Sequence, residues 1–479
     1  MTGGDELIRM TARQVVALLD RRQVSPLELI DAALARIDAV DGAVNALPIR
    51  CPERAREHAR RLMAQRPPAS EGRRGWLGGL PLAIKDSMDV AGVRSTHGSP
   101  IFADHVPARS DLQVEALERQ GGIVLARSNA PEFAAGANTF NEVFGRTLNP
   151  WNTAMSCGGS SGGSAVALAT GEVWLANGTD LGGSLRIPAS FCSVVGLRPS
   201  AGVVPHGPDH TAFDGLAVAG PMARNVGDAA LMLDAMAAFD PRDPLSVEPP
   251  HDGYLAAALA PEAPRRIAFS ADLGFLPIEP EVRDIAGAAV RQFAGRGVAV
   301  EEAAPDFAGA AEIFQTLRAM RFVAGYAPLL AEHRARLKPE IIWNIERGLK
   351  LDGAAVGRAL RERSALYERV AEFFRRYDLL ATPAVILPPF PVEQRYVETV
   401  AGRRFDNYVD WLGMSYAVTL TGCPALSLPC GFTRAGLPVG LQLVGRPRGE
   451  RALLAAAALI EAQLDLAALL PITPRPPRN

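Results

Sequence analysis

The chain has 479 residues, 48% hydrophobic and 21% charged, a balance that admits a large buried core and excludes a disordered or fibrous protein. A net charge of −2 leaves no electrostatic footprint for nucleic acid or an anionic membrane surface. The first residues, MTGGDELIRM, lack the basic and apolar regions of a signal peptide, and the apolar run Leu453–Ile460 is too short to span a bilayer. A cytoplasmic protein is expected, with neither a membrane nor a nucleic-acid partner.

Helices come first. Thr11 with Gln14 forms a capping box ahead of Val15, Leu18 and Leu19. Ser25-Pro26-Leu27-Glu28 supplies an N-cap, a proline at N1 and a glutamate at N3, after which Leu27, Ile30, Leu34 and Ile37 recur at helical spacing. Arg66 to Gly75, rich in proline, arginine and glycine, reads as a linker. From Leu80 the texture alternates between short apolar runs and helical patterns. Leu80–Ile84 reads as a buried strand, Ser110–Arg119 as a capped helix and Ile123–Ala126 as a strand. Ser164–Ala169 starts a helix after glycines, and Val194–Leu197 is another strand. Residues 280–296 and 354–377 are amphipathic helices, and Pro383–Pro391 is a proline-rich turn. Leu426–Leu428 and Gly440–Val444 read as strands, and Leu453–Leu466 as a closing helix. This order indicates an α/β architecture with a largely covered sheet.

Five cysteines (Cys51, Cys157, Cys192, Cys423 and Cys430) are scattered and form no CxxC pair, so neither a disulfide framework nor a zinc site is indicated. The one close histidine pair, His206 and His210, encloses Gly207 and Pro208, which disfavour a helical metal face. No metal and no cofactor are expected. Only Lys85, Lys338 and Lys350 are lysines, in a chain with 50 lysines and arginines together. A buried lysine can lose its proton whereas arginine cannot.

Two loops stand out: Gly158-Gly159-Ser160-Ser161-Gly162-Gly163-Ser164, and Gly178-Thr179-Asp180-Leu181-Gly182-Gly183-Ser184-Leu185-Arg186. A phosphate loop fails, because neither contains GxxxxGK[ST] or GxGxxG. Gly158 to Gly162 satisfies GxSxG, so an esterase of the α/β-hydrolase type with Ser160 as nucleophile is one reading. That elbow needs a preceding strand, where Asn149 to Cys157 reads as turn and loop, and a downstream acid and histidine in order. Another reading joins both loops to Lys85, which ends the apolar run Leu80–Ile84. A lysine made neutral by burial can activate a serine. The N–H groups of Leu181, Gly182, Gly183 and Ser184 would then form an oxyanion hole. Against it stands a plain ion pair of Lys85 with Asp86 or Asp89.

The segments GLPLAIKD (79–86), NPWNTAMSCGGSSGGSAVALATG (149–171) and NGTDLGGSLRIPASFCSVVGLRPS (177–200) resemble the amidase signature family. Ser160 follows Lys85 by 75 positions (160 − 85) and Ser184 follows Ser160 by 24 (184 − 160), the family's spacing. The likeness extends more loosely to the N-terminal helices and to GCPALSLPCGF (422–432).

The resemblance implies a large mixed sheet covered by helices in one α/β/α domain, with an N-terminal helical region (1–65) packed on the catalytic domain (66–479). It implies a Ser-cisSer-Lys triad in which Ser184 attacks, Ser160 relays the proton and Lys85 is the base. The substrate would be a small-molecule amide, cleaved through an acyl-enzyme. Ala134 would line the substrate cavity, Asp180 and Arg186 would brace their loop by pairing, and a homodimer would follow family habit. The chain departs from the family in carrying Cys157 where proline is usual. Leu412 to Thr419 lacks the acid by which the glutaminase-type subunit of the transfer-RNA amidotransferase, a member of the family, recognises glutamine. An amidase for a hydrophobic or aromatic acyl group is therefore expected ahead of that glutaminase-type subunit. Trp411, Leu412, Met414 and Tyr416, with Phe140, Phe144, Trp151 and Met155, are the candidates for such a pocket.

Overall fold

The local signals at the N-terminus are realised. Thr11 accepts from the Gln14 N–H and Ser25 from the Glu28 N–H, each with the reciprocal side-chain bond, and the helices Ala12–Asp20 and Pro26–Val40 follow. In this computed structural model of the protein, residues 3–65, 73–207 and 210–477 are described. Most of the expected linker, residues 66–72, thus lies outside the described residues.

Among the described residues, eleven strands build one mixed sheet. Taken across it, they begin at Ile49, Ile123, Pro81, Leu175, Val218, Val195, Ala425, Pro438, Leu379, Arg266 and Ala299. The strand Pro81–Lys85 runs parallel to both neighbours, Ile123–Ser128 and Leu175–Asp180. All five of its residues are buried, as suits a parallel strand covered on both faces. Ala83 pairs with Ala176, so two residues on, Lys85 stands level with Gly178 and next to Thr179. The carboxyl ends of parallel strands, where such sheets gather ligands, therefore carry Lys85, Thr179 and Asp180 together.

The helix Gly162–Thr170 is buried along its whole length, which its sequence GGSAVALAT permits because no side chain is bulky or charged. The strand that ends in Thr179 and Asp180, Leu175–Asp180, follows it; the helix Arg186–Cys192 comes next. One expected helix starts late: it spans Leu112–Arg119, with Asp111 at the N-cap position and no side-chain cap bond. The largest departure is the 24-residue helix Ala310–His333, which contains Pro328 and has no sharp amphipathic period to announce it. It packs against the helices Pro339–Leu349 and Gly353–Phe373. Among the described residues, no helix is long and apolar enough to cross a membrane.

Candidate active site

Lys85 is wholly buried at the end of its strand. Its Nζ donates to Ser160 Oγ at 2.7 Å and to Thr179 Oγ1 at 2.8 Å. Neither nearby aspartate is its partner. Asp86 pairs with Arg127 and accepts from Thr96, while Asp89 pairs with His97 at 3.1 Å. The plain ion-pair reading of Lys85 is therefore displaced. Burial drives its pKa from 10.5 down to about 7, with the charge of Asp180 opposing the shift. A second lysine, the half-buried Lys338, serves differently: its Nζ donates to the Ala135 carbonyl at 2.5 Å.

The peptide bond Gly159–Ser160 is cis, and Ser160 lies one residue before Ser161, the N-cap of the buried helix. The Ser161 N–H donates to the Ser184 carbonyl at 3.2 Å, tying the two loops together. Asp180 and Arg186 form a paired brace, Nη2 to Oδ1 at 2.8 Å and Nε to Oδ2 at 3.0 Å, with Arg198 at 3.4 Å. Burial alone would raise the Asp180 pKa, but the two guanidiniums and the Gly183 N–H hold it well below the usual carboxylate range. That brace alters the expected oxyanion set. The Gly183 N–H donates to Asp180 Oδ1 at 2.9 Å, so Leu181, Gly182 and Ser184 remain as the unengaged donors of the loop among the described residues. Gly183 is required here, because its φ is +106° and a Cβ would collide with the Ser415 side chain.

Ser160, Ser184, Thr179, Leu181 and Ala134 open onto one cavity of roughly 550 Å³, a size that suits a small organic ligand. Ala134 and Phe133 both adopt left-handed backbone conformations, φ 55° and 46°. Their loop is clamped by Glu132, which accepts from Ser99 Oγ at 2.7 Å and from the Lys338 N–H at 2.9 Å. The apolar wall consists of Phe102, Phe133, Phe322, Tyr326 and Leu329. This corrects the pocket expected from sequence, since none of its eight candidates lines the cavity. Tyr416 instead stacks on Phe314 with ring centroids 4.8 Å apart, and Trp151 packs on Phe432 at 4.7 Å. Trp411, Leu412 and Met414 are core. His206 and His210 do reach the cavity, beside His97, His105, Asp89 and Asp111. Among the described residues, no three such groups are placed to hold a metal ion.

The amidase family profile matches residues 28–454. The chain belongs to the amidase signature family. It is 34% identical to an acylamidase of Rhodococcus erythropolis, over 95% of each chain. It is 36% identical to a glutamyl-tRNA(Gln) amidotransferase subunit of Moorella thermoacetica, over 95% of this chain and 97% of that one. Among solved structures it resembles a bacterial aryl acylamidase of the same family, with a TM-score of 0.88 and 28% identity over 97% and 99% of the two chains. The protein is an amide-hydrolysing enzyme.

In this amidase the Cys157 thiol is buried, donates to the Thr147 carbonyl at 3.4 Å, and is pushed up to about 12 by burial. It does not line the cavity, so a thiol held protonated there has no access to a ligand. The amidase site also includes residues that sequence reasoning passed over. Arg318, Arg321, Phe322, Gly325, Tyr326 and Leu329 all face the cavity from one side of the long helix. Their spacing of three and four is the only signal that could have found them.

Proposed function

We propose that the enzyme cleaves a carboxylic amide whose acyl part is hydrophobic or aromatic, through an acyl-enzyme on Ser184. The observation that carries this reading is the 2.7 Å bond from a wholly buried Lys85 to Ser160, on the cavity wall shared with Ser184. Neutral Lys85 takes a proton from Ser160 as Ser160 takes one from Ser184, and Ser184 Oγ attacks the carbonyl carbon. The oxyanion forms near the N–H groups of Leu181, Gly182 and Ser184, whose dipoles are fixed before the reaction begins. The relay reverses to protonate the leaving amine as the C–N bond breaks. Water, deprotonated through the same pair, then releases the acid and restores Ser184. Esters, carbamates and hydrazides present the same acyl centre and fall within reach of this chemistry.

The apolar wall of Phe102, Phe133, Phe322 and Tyr326 supports an apolar substrate body. The alternative is the glutaminase-type subunit of an aminoacyl-tRNA amidotransferase, favoured by the 36% identity to an amidotransferase subunit. Against it, Asp410, the acid nearest the segment that recognises glutamine in such proteins, is engaged by Gln315 at 2.7 Å and does not line the cavity.

The test is peptide mapping after treatment with a fluorophosphonate, which traps activated serines. A single adduct on Ser184 that is lost in Lys85→Ala is the expected result. An adduct on Ser160 would instead support the esterase elbow and refute the triad. Release of ammonia from free glutamine at a rate above that from aryl amides would favour the amidotransferase reading.

A further inference from the structure

We propose that Arg318 is an anion-recognition residue of this active site, and that the amide substrate carries a carboxylate on its apolar body. The proposal deepens the amidase reading above and rests on it. Arg318 lies on the helix Ala310–His333, four residues after Phe314. The Phe314 ring lies against Gly182 of the oxyanion loop, where a Cβ would meet it at 3.2 Å. Four residues are one helical turn, about 6 Å of rise, so Arg318 flanks the nucleophile loop. It lines the cavity with Ser160 and Ser184 although it is only 5% exposed.

A buried guanidinium normally has a counter-charge, because an uncompensated ion in a low-dielectric interior is costly. Around this site Arg127 has Asp86, while Arg186 and Arg198 share Asp180. Arg318 has only neutral partners. Its Nε donates to Asn344 Oδ1 at 3.1 Å and its Nη2 to Tyr408 Oη at 2.8 Å. Its charge lies 4.7 Å from the centroid of the Phe322 ring and 5.7 Å from that of Tyr408. Among the described residues, no carboxylate pairs with it and no protein group accepts from Nη1. Two bonds and two rings thus fix the orientation of a charged fork that has donors left over, which is the geometry a carboxylate uses.

The other charges on the cavity wall do not fill that role. Arg321 is engaged by Asp214 at 2.7 Å. Asp89 is offset by His97 at 3.1 Å and by His105 at 4.0 Å, and burial raises Asp111 to about 7. Next to Arg318 the wall is apolar, formed by Phe322, Phe133 and Tyr326. A substrate with a hydrocarbon or aryl body and one carboxylate matches both surfaces.

Two matched comparisons test this, each followed by release of the aromatic amine. Pentanedioic acid monoanilide against pentanoic anilide places the carboxylate on the acyl half. N-pentanoyl-4-aminobenzoate against pentanoic anilide places it on the amine half. At least one carboxylated member should exceed pentanoic anilide tenfold in kcat/KM. Arg318→Gln should lower that ratio at least tenfold, and Arg318→Lys should keep most of it. The readout is a ratio within one protein, so a general loss of folded enzyme cancels. If Arg318→Gln does not fold, the wild-type ratios together with Arg318→Lys decide the matter. A wild-type enzyme that cleaves pentanoic anilide with no preference in either comparison overturns the proposal and leaves the amidase reading standing. A preference that survives in Arg318→Gln also overturns it. Failure to cleave any of the three amides, with no fluorophosphonate adduct on Ser184, overturns both.

Discussion

Replacing Lys85 by methionine should abolish activity and raise stability at pH 7, by an amount that vanishes as the pH is raised. Lys85 is wholly buried, and burial lowers its pKa from 10.5 to about 7. Across that window the unfolded chain holds the lysine proton and the folded chain does not. The unfolded state therefore binds more protons, and wild-type stability rises with pH between about 7 and 10.5. Below about 7 both states are protonated and the slope disappears. At about 1.4 kcal/mol per pH unit, the shift sets about 5 kcal/mol against the fold at pH 7 and about 2 kcal/mol at pH 9. Methionine fills a similar volume without charge. It deprives the Ser160 and Thr179 hydroxyls of a partner, at about 1 kcal/mol each beside a cavity that water can enter. The net gain is about 3 kcal/mol at pH 7 and near zero at pH 9. An unfolding entropy of about 2.1 cal/mol/K per residue, over 479 residues, is about 1 kcal/mol/K. The variant should thus melt about 3 °C above wild type at pH 7 and at the same temperature at pH 9, measured by scanning calorimetry. A difference that is constant between the two pH values, or a wild type that is the more stable at pH 7, would refute the reasoning.

Because Lys85 must be neutral to act as base, kcat/KM on an anilide should fall about tenfold per pH unit below about 7; a profile flat down to pH 5.5 would exclude Lys85 as the base. Asp180→Asn should leave Arg186 and Arg198 buried without their counter-charge. The expected loss is about 3–5 kcal/mol, read as a fall in Tm at pH 7, and a Tm within 1 °C of wild type would show that the brace is dispensable.

The features legible in the sequence were those whose cause is local. The capping boxes at Thr11 and Ser25 involve partners three residues away, and both formed. The strand ending in Lys85 and the helix expected over Ser164–Ala169, which spans Gly162–Thr170, also follow from short-range pattern, while the pairing of Asp180 with Arg186 was implied by the family resemblance. The pocket was not legible. Trp411, Leu412 and Met414 are apolar enough for a binding wall, but nothing in their order reveals that they pack into the core. Nor does it show that the cavity is closed by Phe133 and Phe322, which lie 189 positions apart (322 − 133). Gly183 was misjudged for a related reason: the direction of its N–H depends on where the Asp180 carboxylate turns, and two guanidiniums fix that carboxylate from other elements.

The sequence by itself singled out Lys85, Ser160 and Ser184 as the candidates for the chemistry, because they sit in three segments that resemble the amidase signature family. It also determined the capped helix starts at Thr11 and Ser25 and the buried strands near Leu82, Val124 and Leu426, which depend on neighbours within one or two turns. Only the tertiary structure decided that Lys85 bonds to Ser160 and loses its proton near neutrality. That shift comes from desolvation by parallel strands whose order is not written along the chain. The same holds for Arg318, an unremarkable arginine in a helix until folding buries it without a carboxylate on the cavity that Ser184 lines. Burial and counter-charge are sums over the whole surroundings of a group, so they exist only once the chain has closed around it.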